Sequence, residues 1–373
     1  MTILRDPVAR WEGLGRPLVH LPRWAALALL IVVAMVMAWG AVTVAPVAQA
    51  AIPTEQSGEA EVAGDDDGGD LALYNRISDR VVAGEDYYAA AMAEQRAGNY
   101  PTRPFVTVRL PTLAMIHKTI GLSGANMMLL ILLPVTIMLF MHRLRGQALP
   151  PERVGAGILL LFGGAAAITP EAGLIHELLA GMLLTLALAL YQPIRWWPAL
   201  IAAGLALAVR ELAAPFVLLW LAFAMSQRRW SEAAGFAGLL FLFAIGLYLH
   251  YLGVEAQRLP GDAASQGWDA LAGISLPLLA LSKLTALLIL PLWLAAPLAV
   301  LPLLGWLGLG GRLGLFAALW FAGFFTAMAL FARPENFYWV QLTLPAYLAG
   351  FAFVPRALAD LLSAIQGRKE RQT

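Results

Sequence analysis

Residues 24–46 read WAALALLIVVAMVMAWGAVTVAP, and beyond them stands a stretch of opposite character, Gly64-Asp65-Asp66-Asp67-Gly68-Gly69-Asp70. The first run holds about 20 apolar residues, the length that crosses a bilayer. The second places four carboxylates within six residues. Charges of that density are costly beside hydrocarbon unless they face water, a cation or a substrate. One stretch predicts a membrane anchor, and the other predicts a polar loop immediately outside it.

Working outward, the rest of the chain repeats the first message. Of 373 residues, 60% are hydrophobic and 13% charged, and the mean hydropathy is +0.72. Soluble domains are about 45–50% apolar and about 25% charged. The composition therefore predicts an all-α polytopic membrane protein. A net charge of +1 argues against a nucleic-acid partner, and the absence of cysteine excludes disulfides, thiolate metal sites and a catalytic thiol. Arg5, Arg10, Arg16 and Arg23 precede the run Ala25 to Val47, and Ala48-Gln49-Ala50 resembles a signal-peptidase site. Signal cores are about 7–15 residues long, so the longer run reads as a retained anchor.

Apolar runs predict about ten spans, near 24–46, 122–141, 154–169, 177–192, 197–211, 213–226, 233–252, 283–307, 313–331 and 338–356. Between Leu276 and Leu307 four prolines, Pro277, Pro291, Pro297 and Pro302, leave open either one kinked helix after a surface helix or two helices. The whole chain, 1–373, reads as a single transmembrane domain with no separate soluble unit. Cations fix the expected orientation, because short inward loops accumulate Lys and Arg. With the N-terminus inside, the inward segments carry Arg143, Arg145, Arg153, Arg195, Arg228, Arg229, Arg312 and the tail from Arg356 to Arg371. The Ala/Leu/Arg-rich usage fits a bacterial inner membrane with both termini cytoplasmic.

The first outer loop, 47–121, is long and patterned. Leu73, Tyr74, Ile77 and Val81 share one helical face, with Asn75, Arg76, Ser78, Asp79 and Arg80 opposite, the pattern of a helix lying on a membrane surface. Asp70 is placed as its N-cap and Gly84 as its stop. A second helix is expected from Asp86 to Ala97, ending at Gly98-Asn99, followed by an extended Tyr100-Pro101-Thr102-Arg103-Pro104. Capping accounts for one carboxylate. Asp65 to Asp67 read equally as a solvated turn.

The pattern Asp70-x-x-x-Tyr74 followed by Gly84-Glu85-Asp86-Tyr87-Tyr88 resembles the first outer loop of membrane glycosyltransferases of the GT-C fold. That group includes protein O-mannosyltransferases, lipid A aminoarabinose transferases and bacterial mannosyltransferases that use polyprenyl-phosphate sugars. The resemblance implies a GT-C-like bundle with two amphipathic surface helices and an outward-facing site. It also implies transfer of a sugar from a polyprenyl-phosphate donor to a lipid, glycan or protein acceptor. In it Asp70, or second Asp67, would activate the acceptor hydroxyl, and the same two carboxylates would hold a divalent cation, Mg²⁺ or Mn²⁺, if one is used.

Such chemistry needs cations for the phosphate leaving group. Arg333, Arg210, Lys283, Arg103 and Arg258 are available on the predicted outer face, with Tyr87, Tyr88 and Asn336 beside them. Arg210 has an equally good structural reading as a local pair with Glu211 or Glu171. Arg333 begins a turn, Pro334-Glu335-Asn336-Phe337-Tyr338-Trp339, that also reads as ordinary interfacial anchoring. Glu171, His176 and Glu177 are supporting candidates at the mouth of the fourth span, where a His is more often scaffolding. His117 and Lys118 either face the site or flank a membrane-skimming helix, and His250 has no assigned role. The competing readings are a secondary transporter or a non-catalytic flippase or assembly factor for cell-envelope glycolipids. Charges gathered at one face without internal repeats favour the enzyme.

Overall fold

The computed structural model describes residues 7–50 and 69–367. It is an all-α bundle, and an isolated bridge between Arg103 and Ala264 is the sole β pairing among the described residues. Sixteen α-helices follow in order. They are α1 (Pro7–Gly13), α2 (Arg23–Ala50), α3 (Gly69–Val82), α4 (Tyr87–Ala97), α5 (Thr112–Arg143), α6 (Pro150–Gly163), α7 (His176–Leu190) and α8 (Trp197–Val209). The second half contains α9 (Ala214–Ser226), α10 (Trp230–Ala256), α11 (Ser275–Leu284), α12 (Leu292–Leu298), α13 (Leu301–Leu309), α14 (Gly311–Phe331), α15 (Ala346–Ala349) and α16 (Val354–Gln366). Among the described residues six segments are long and apolar enough to cross a membrane: Arg23–Ala45, Phe105–Gly146, Trp230–Ala256, Leu292–Leu309, Gly311–Phe331 and Ala346–Gln366. The protein is an all-α membrane protein.

Exposure confirms the solvent these helices are built for. On α2, Leu27, Ile31, Met35, Trp39 and Val42 form an exposed apolar stripe, and α10 exposes Phe241, Leu242, Ile245 and Leu249. Stripes of this size are incompatible with water and match hydrocarbon. The interior is closed by aromatic contacts. Phe216 meets Phe316 at 5.1 Å and Trp320 at 5.3 Å, joining α9 to α14 edge to face.

Several local expectations hold. The span beginning at residue 122 coincides with a break at Gly121, whose φ of 69° separates a short helix, 112–120, from the long one after it. Asp86 caps α4 by accepting the Ala89 N–H at 3.1 Å. Gly84 adopts φ 102°, and the Glu85 N–H reaches back to the Arg80 carbonyl at 3.1 Å, closing α3 as expected.

Others are corrected. Helix α3 begins at Gly69, so Asp70 lies inside the first turn rather than at the cap; its charge still faces the positive helix end. Ser78, assigned to the polar face, is buried and packed. The span 154–169 ends as an α-helix at Gly163. The crossing in the 283–307 region starts later than expected, at Leu292: α11 and a 3-10 turn at Ala286–Ile289 precede α12 and α13, which together make one interrupted crossing candidate, Leu292–Leu309, the kinked alternative. The span 338–356 is not one continuous α-helix and is shifted toward the C-terminus. A 3-10 segment, Pro334–Thr343, precedes Pro345, and the apolar crossing candidate is Ala346–Gln366. Proline cannot continue the hydrogen-bond ladder, and hydropathy does not register that. Arg356 and Asp360, which lower the hydropathy of α16, are paired inside the bundle with Glu152 and Arg16.

Candidate active site

Helices α3 and α4 form a cap over the start of α5 and the end of α10. Leu73, Ile77 and Val81 bury one face of α3 against Tyr87, Ala90 and Ala91 of α4 and Ala114 of α5. Outside this seam the two helices are clasped by ion pairs, Arg76–Glu94 at 3.0 Å, Arg80–Glu85 at 2.6 Å and Arg80–Glu94 at 2.7 Å. Such partly exposed pairs are worth little each, so the apolar seam supplies most of the docking energy.

Beneath α3 lies a buried polar cluster. Arg210, 2% exposed, donates from Nε to Glu177 Oε1 at 2.6 Å and from a terminal nitrogen to Glu211. Arg109 Nη2 stands 3.7 Å from the same Glu177 oxygen. The Arg109 guanidinium donates from Nε to the Tyr74 hydroxyl at 2.8 Å and from Nη2 to the Tyr338 hydroxyl at 3.0 Å. Its backbone carbonyl accepts the Tyr87 hydroxyl at 2.6 Å. His176 packs edge-on against Tyr74, with ring centroids 5.0 Å apart. Burial raises the pKa of Tyr74 and Tyr87, so both phenols stay protonated at neutral pH. Asp70 is half-buried in the first turn of α3, one helical turn before Tyr74.

The scaffold explains why Tyr338 arrives here. At Gly181 of α7 an added Cβ would stand 2.1 Å from the Gln341 carbonyl oxygen and 2.6 Å from that of Leu344. Only glycine lets the Pro334–Thr343 segment lie on α7, and that contact sets Tyr338 over the cluster. His117 is structural. Its Nε2 faces the Gly173 carbonyl at 2.9 Å, which must accept, so Nδ1 receives the Ser78 hydroxyl at 2.8 Å.

The structure brings together Arg210, Glu177, Glu211 and His176 from the residues expected on sequence grounds, with Tyr87 bonded to the Arg109 carbonyl and Asp70 one turn before Tyr74 on α3. The doubled tyrosines diverge: Tyr87 turns to Arg109, while Tyr88 packs on His250 of α10, ring centroids 5.6 Å apart. For the other candidates the structure shows other surroundings. Arg333 pairs with Glu335 at 3.3 Å and also donates to Gln266. Arg258 pairs with Glu255 at 2.7 Å. Lys283 and Glu171 are exposed, and Arg103 is exposed with its backbone joined to Ala263 and Ser265. Asn336 is half-buried within the turn that Arg333 begins. Asp67, like Asp65 and Asp66, lies outside the described residues. Among the described residues no group of three or more His, Asp or Glu stands close enough to hold a metal ion.

Arg109, Tyr74 and Tyr338 were absent from the expected site. Tyr74 was visible as part of the motif but counted as packing. Arg109 stood in Val108-Arg109-Leu110, a lone cation within an apolar run, and that isolation was the available signal. Compared with known protein families, curated proteins and solved structures, the chain matches none of them.

Proposed function

We propose that this chain is a membrane glycosyltransferase that moves a sugar from a polyprenyl-phosphate donor to an acceptor hydroxyl at the outer face of a bacterial inner membrane. In this reading about ten segments cross the bilayer, α3 and α4 lie on its outer surface, and both termini are cytoplasmic. The observation that carries it is the buried Arg109 guanidinium hydrogen-bonded to Tyr74, which lies one helical turn after Asp70 on α3. A half-buried carboxylate heads α3, and one turn later a phenol meets a guanidinium that is hydrogen-bonded to two neutral hydroxyls rather than held tightly by a carboxylate.

That distinction separates the two buried arginines. Arg210 is neutralised by Glu177 and Glu211, whereas Arg109 keeps its positive charge for an incoming anion. The proposed step follows from these groups. The acceptor oxygen attacks the anomeric carbon as Asp70 takes its proton, and the bond from that carbon to the phosphate oxygen breaks. The electron pair leaves on polyprenyl phosphate, whose growing charge Arg109 stabilises, while the Tyr74 and Tyr338 hydroxyls each retain a hydrogen to donate. Arg210 and Glu177 serve as the buried foundation that holds Arg109 from behind.

The test is turnover with labelled polyprenyl-phosphate sugars in a cell-envelope membrane preparation. Asp70→Asn should abolish transfer without lowering thermal stability. Transfer at the wild-type rate by a folded Asp70→Asn protein would overturn the assignment.

A further inference from the structure

Helix α7 joins two charged clusters. His176 at its start packs on Tyr74 of the candidate site, and Tyr191, just past its end, gathers three guanidinium groups at the opposite end of the bundle. Arg229 and Arg312 donate to the Tyr191 hydroxyl at 2.8 and 2.6 Å. Arg143, the last residue of α5, donates from Nε to the Tyr191 carbonyl at 3.0 Å.

Among the described residues, the carboxylates at this end are Glu12, Glu152, Glu232 and Asp360, and each already meets an arginine. Glu12 faces Arg312, Glu152 pairs with Arg356, Glu232 with Arg229 and Asp360 with Arg16. The described residues offer no carboxylate to Arg143, Arg145, Arg195 or Arg228. The last three are exposed and hydrated, the ordinary state of cations at the ends of membrane helices. Arg143 is different. It is half-buried, its Nε is spent on the Tyr191 carbonyl, and its two terminal nitrogens make no hydrogen bond with a described residue. Neither terminal nitrogen is enclosed by protein, so both can be reached from outside. A guanidinium placed this way has lost part of its hydration and keeps the planar pair of donors that matches two phosphate oxygens.

Position says where that phosphate comes from. Arg143 ends a segment, Phe105–Gly146, long and apolar enough to cross a membrane, so it stands at the depth of the lipid headgroups. Ile194 and Trp197, just beyond Tyr191, are exposed and present apolar surface beside it. The surplus of arginine over carboxylate favours a headgroup with net negative charge over a zwitterion.

We infer that Arg143 holds the phosphate of an anionic phospholipid, bound by its two terminal nitrogens, at the end of the bundle opposite Arg109. The Tyr191 carbonyl fixes the guanidinium, and Arg229 and Arg312 add positive field behind it. The inference stands apart from the glycosyltransferase reading, and its test involves no turnover.

The experiment places the full-length protein in nanodiscs containing equal amounts of phosphatidylglycerol and phosphatidylcholine, and native mass spectrometry counts the lipids each protein molecule retains. The wild type should retain phosphatidylglycerol several-fold over phosphatidylcholine, and excess inorganic phosphate should leave that preference in place. Arg143→Gln should abolish the preference. Arg143→Lys keeps the charge but loses the planar fork, so it should retain an intermediate amount, and it decides the matter if Arg143→Gln does not fold. Arg195→Gln removes an exposed cation of the same end and should change nothing. Equal retention of the two lipids by the wild type, or full preference in both Arg143 variants, would overturn the proposal. Equal losses in Arg143→Gln and Arg195→Gln would replace the site with a diffuse basic surface, and displacement by inorganic phosphate would replace the lipid with a small free anion. Either of these also overturns it.

Discussion

The bundle buries arginine against tyrosine twice, and the two places differ in what their carboxylates do. Around Tyr191, Arg229 and Arg312 donate to one phenol oxygen at 2.8 and 2.6 Å, and Arg143 donates to the Tyr191 carbonyl at 3.0 Å. Glu232, 1% exposed, is paired with Arg229 at 2.7 Å and receives the Trp220 indole N–H at 3.0 Å. Glu12 approaches Arg312 at 3.4 Å. These contacts tie α1, α9, α10 and α14 to the end of α7, and the adjoining cavity is walled by Leu188, Trp220, Phe223 and Phe316. Around Arg109 the carboxylates are divided. Glu177 is buried in the scaffold, while Glu211 beside Arg210 is half-buried, as is Asp70 one turn before Tyr74 on α3. The Tyr191 cluster resembles a staple, whereas Arg109 is hydrogen-bonded to two hydroxyls and stands 3.7 Å from its nearest carboxylate.

The sharpest way to break that comparison is Asp70→Asn. Loss of a positioned general base costs about 10²–10⁴-fold in rate, so transfer should fall by that range with unchanged thermal unfolding. Tyr191→Phe should show the reverse, a lower unfolding temperature with the rate per folded molecule retained. If both variants lost rate equally, the distinction between the two ends would collapse.

Arg109→Gln comes next. Removing one preorganised group that stabilises developing charge costs roughly 10²–10³-fold. The loss should appear in kcat, because the phosphate's charge grows during the reaction, and Arg109→Lys should recover only part of it. Glu232→Ala probes the opposite end, where breaking a buried ion pair costs about 3–5 kcal/mol. Unfolding measured in nanodiscs should register that loss, and the residual folded enzyme should turn over normally.

How much of this could be read from the chain follows the range of the interactions. Gly84, Asp86, Gly98 and Gly121 act on their own backbone or within one turn, and each stood where its element ended or broke. The charged cluster is different. Arg210 meets Glu177 from 33 residues away and Arg109 meets Tyr338 from 229, so neither partnership leaves a local pattern. Arg210 was expected to pair with Glu211 or Glu171, and of these Glu211 is the partner the structure shows. Candidates such as Lys283 and Arg258 shared a predicted membrane face with the site, but a face is wide. Sharing it constrains depth and leaves lateral position free. The 338–356 span failed for a related reason, since a hydropathy average sees neither Pro345 nor the partners that neutralise Arg356 and Asp360.

The smallest effect sharpens the comparison from outside. The segment 257–273, between α10 and α11, is laid along the cap by Arg96, which donates to Asp262 at 2.6 and 3.0 Å, while the Ser265 N–H reaches the Arg103 carbonyl at 2.7 Å. Arg96 and the Leu259 N–H hold the Asp262 carboxyl at a pKa of about 2. An unfolded aspartate titrates near 3.9, so the folded value is depressed, and the tie is fully present above about pH 4 and lost as pH falls toward 2. Hydrogen-exchange protection of the Arg103 and Ser265 amides should accordingly decline over that window, and Asp262→Asn should lower it already at neutral pH. Protection in α14 beside Tyr191 should stay unchanged in the variant, because none of its ties passes through Asp262. A uniform loss across both ends would mean that the strap is part of the bundle's global stability. A loss confined to the strap would mark the cap over Arg109 as the part of the molecule able to loosen by itself, as the proposed transfer between two substrates would require.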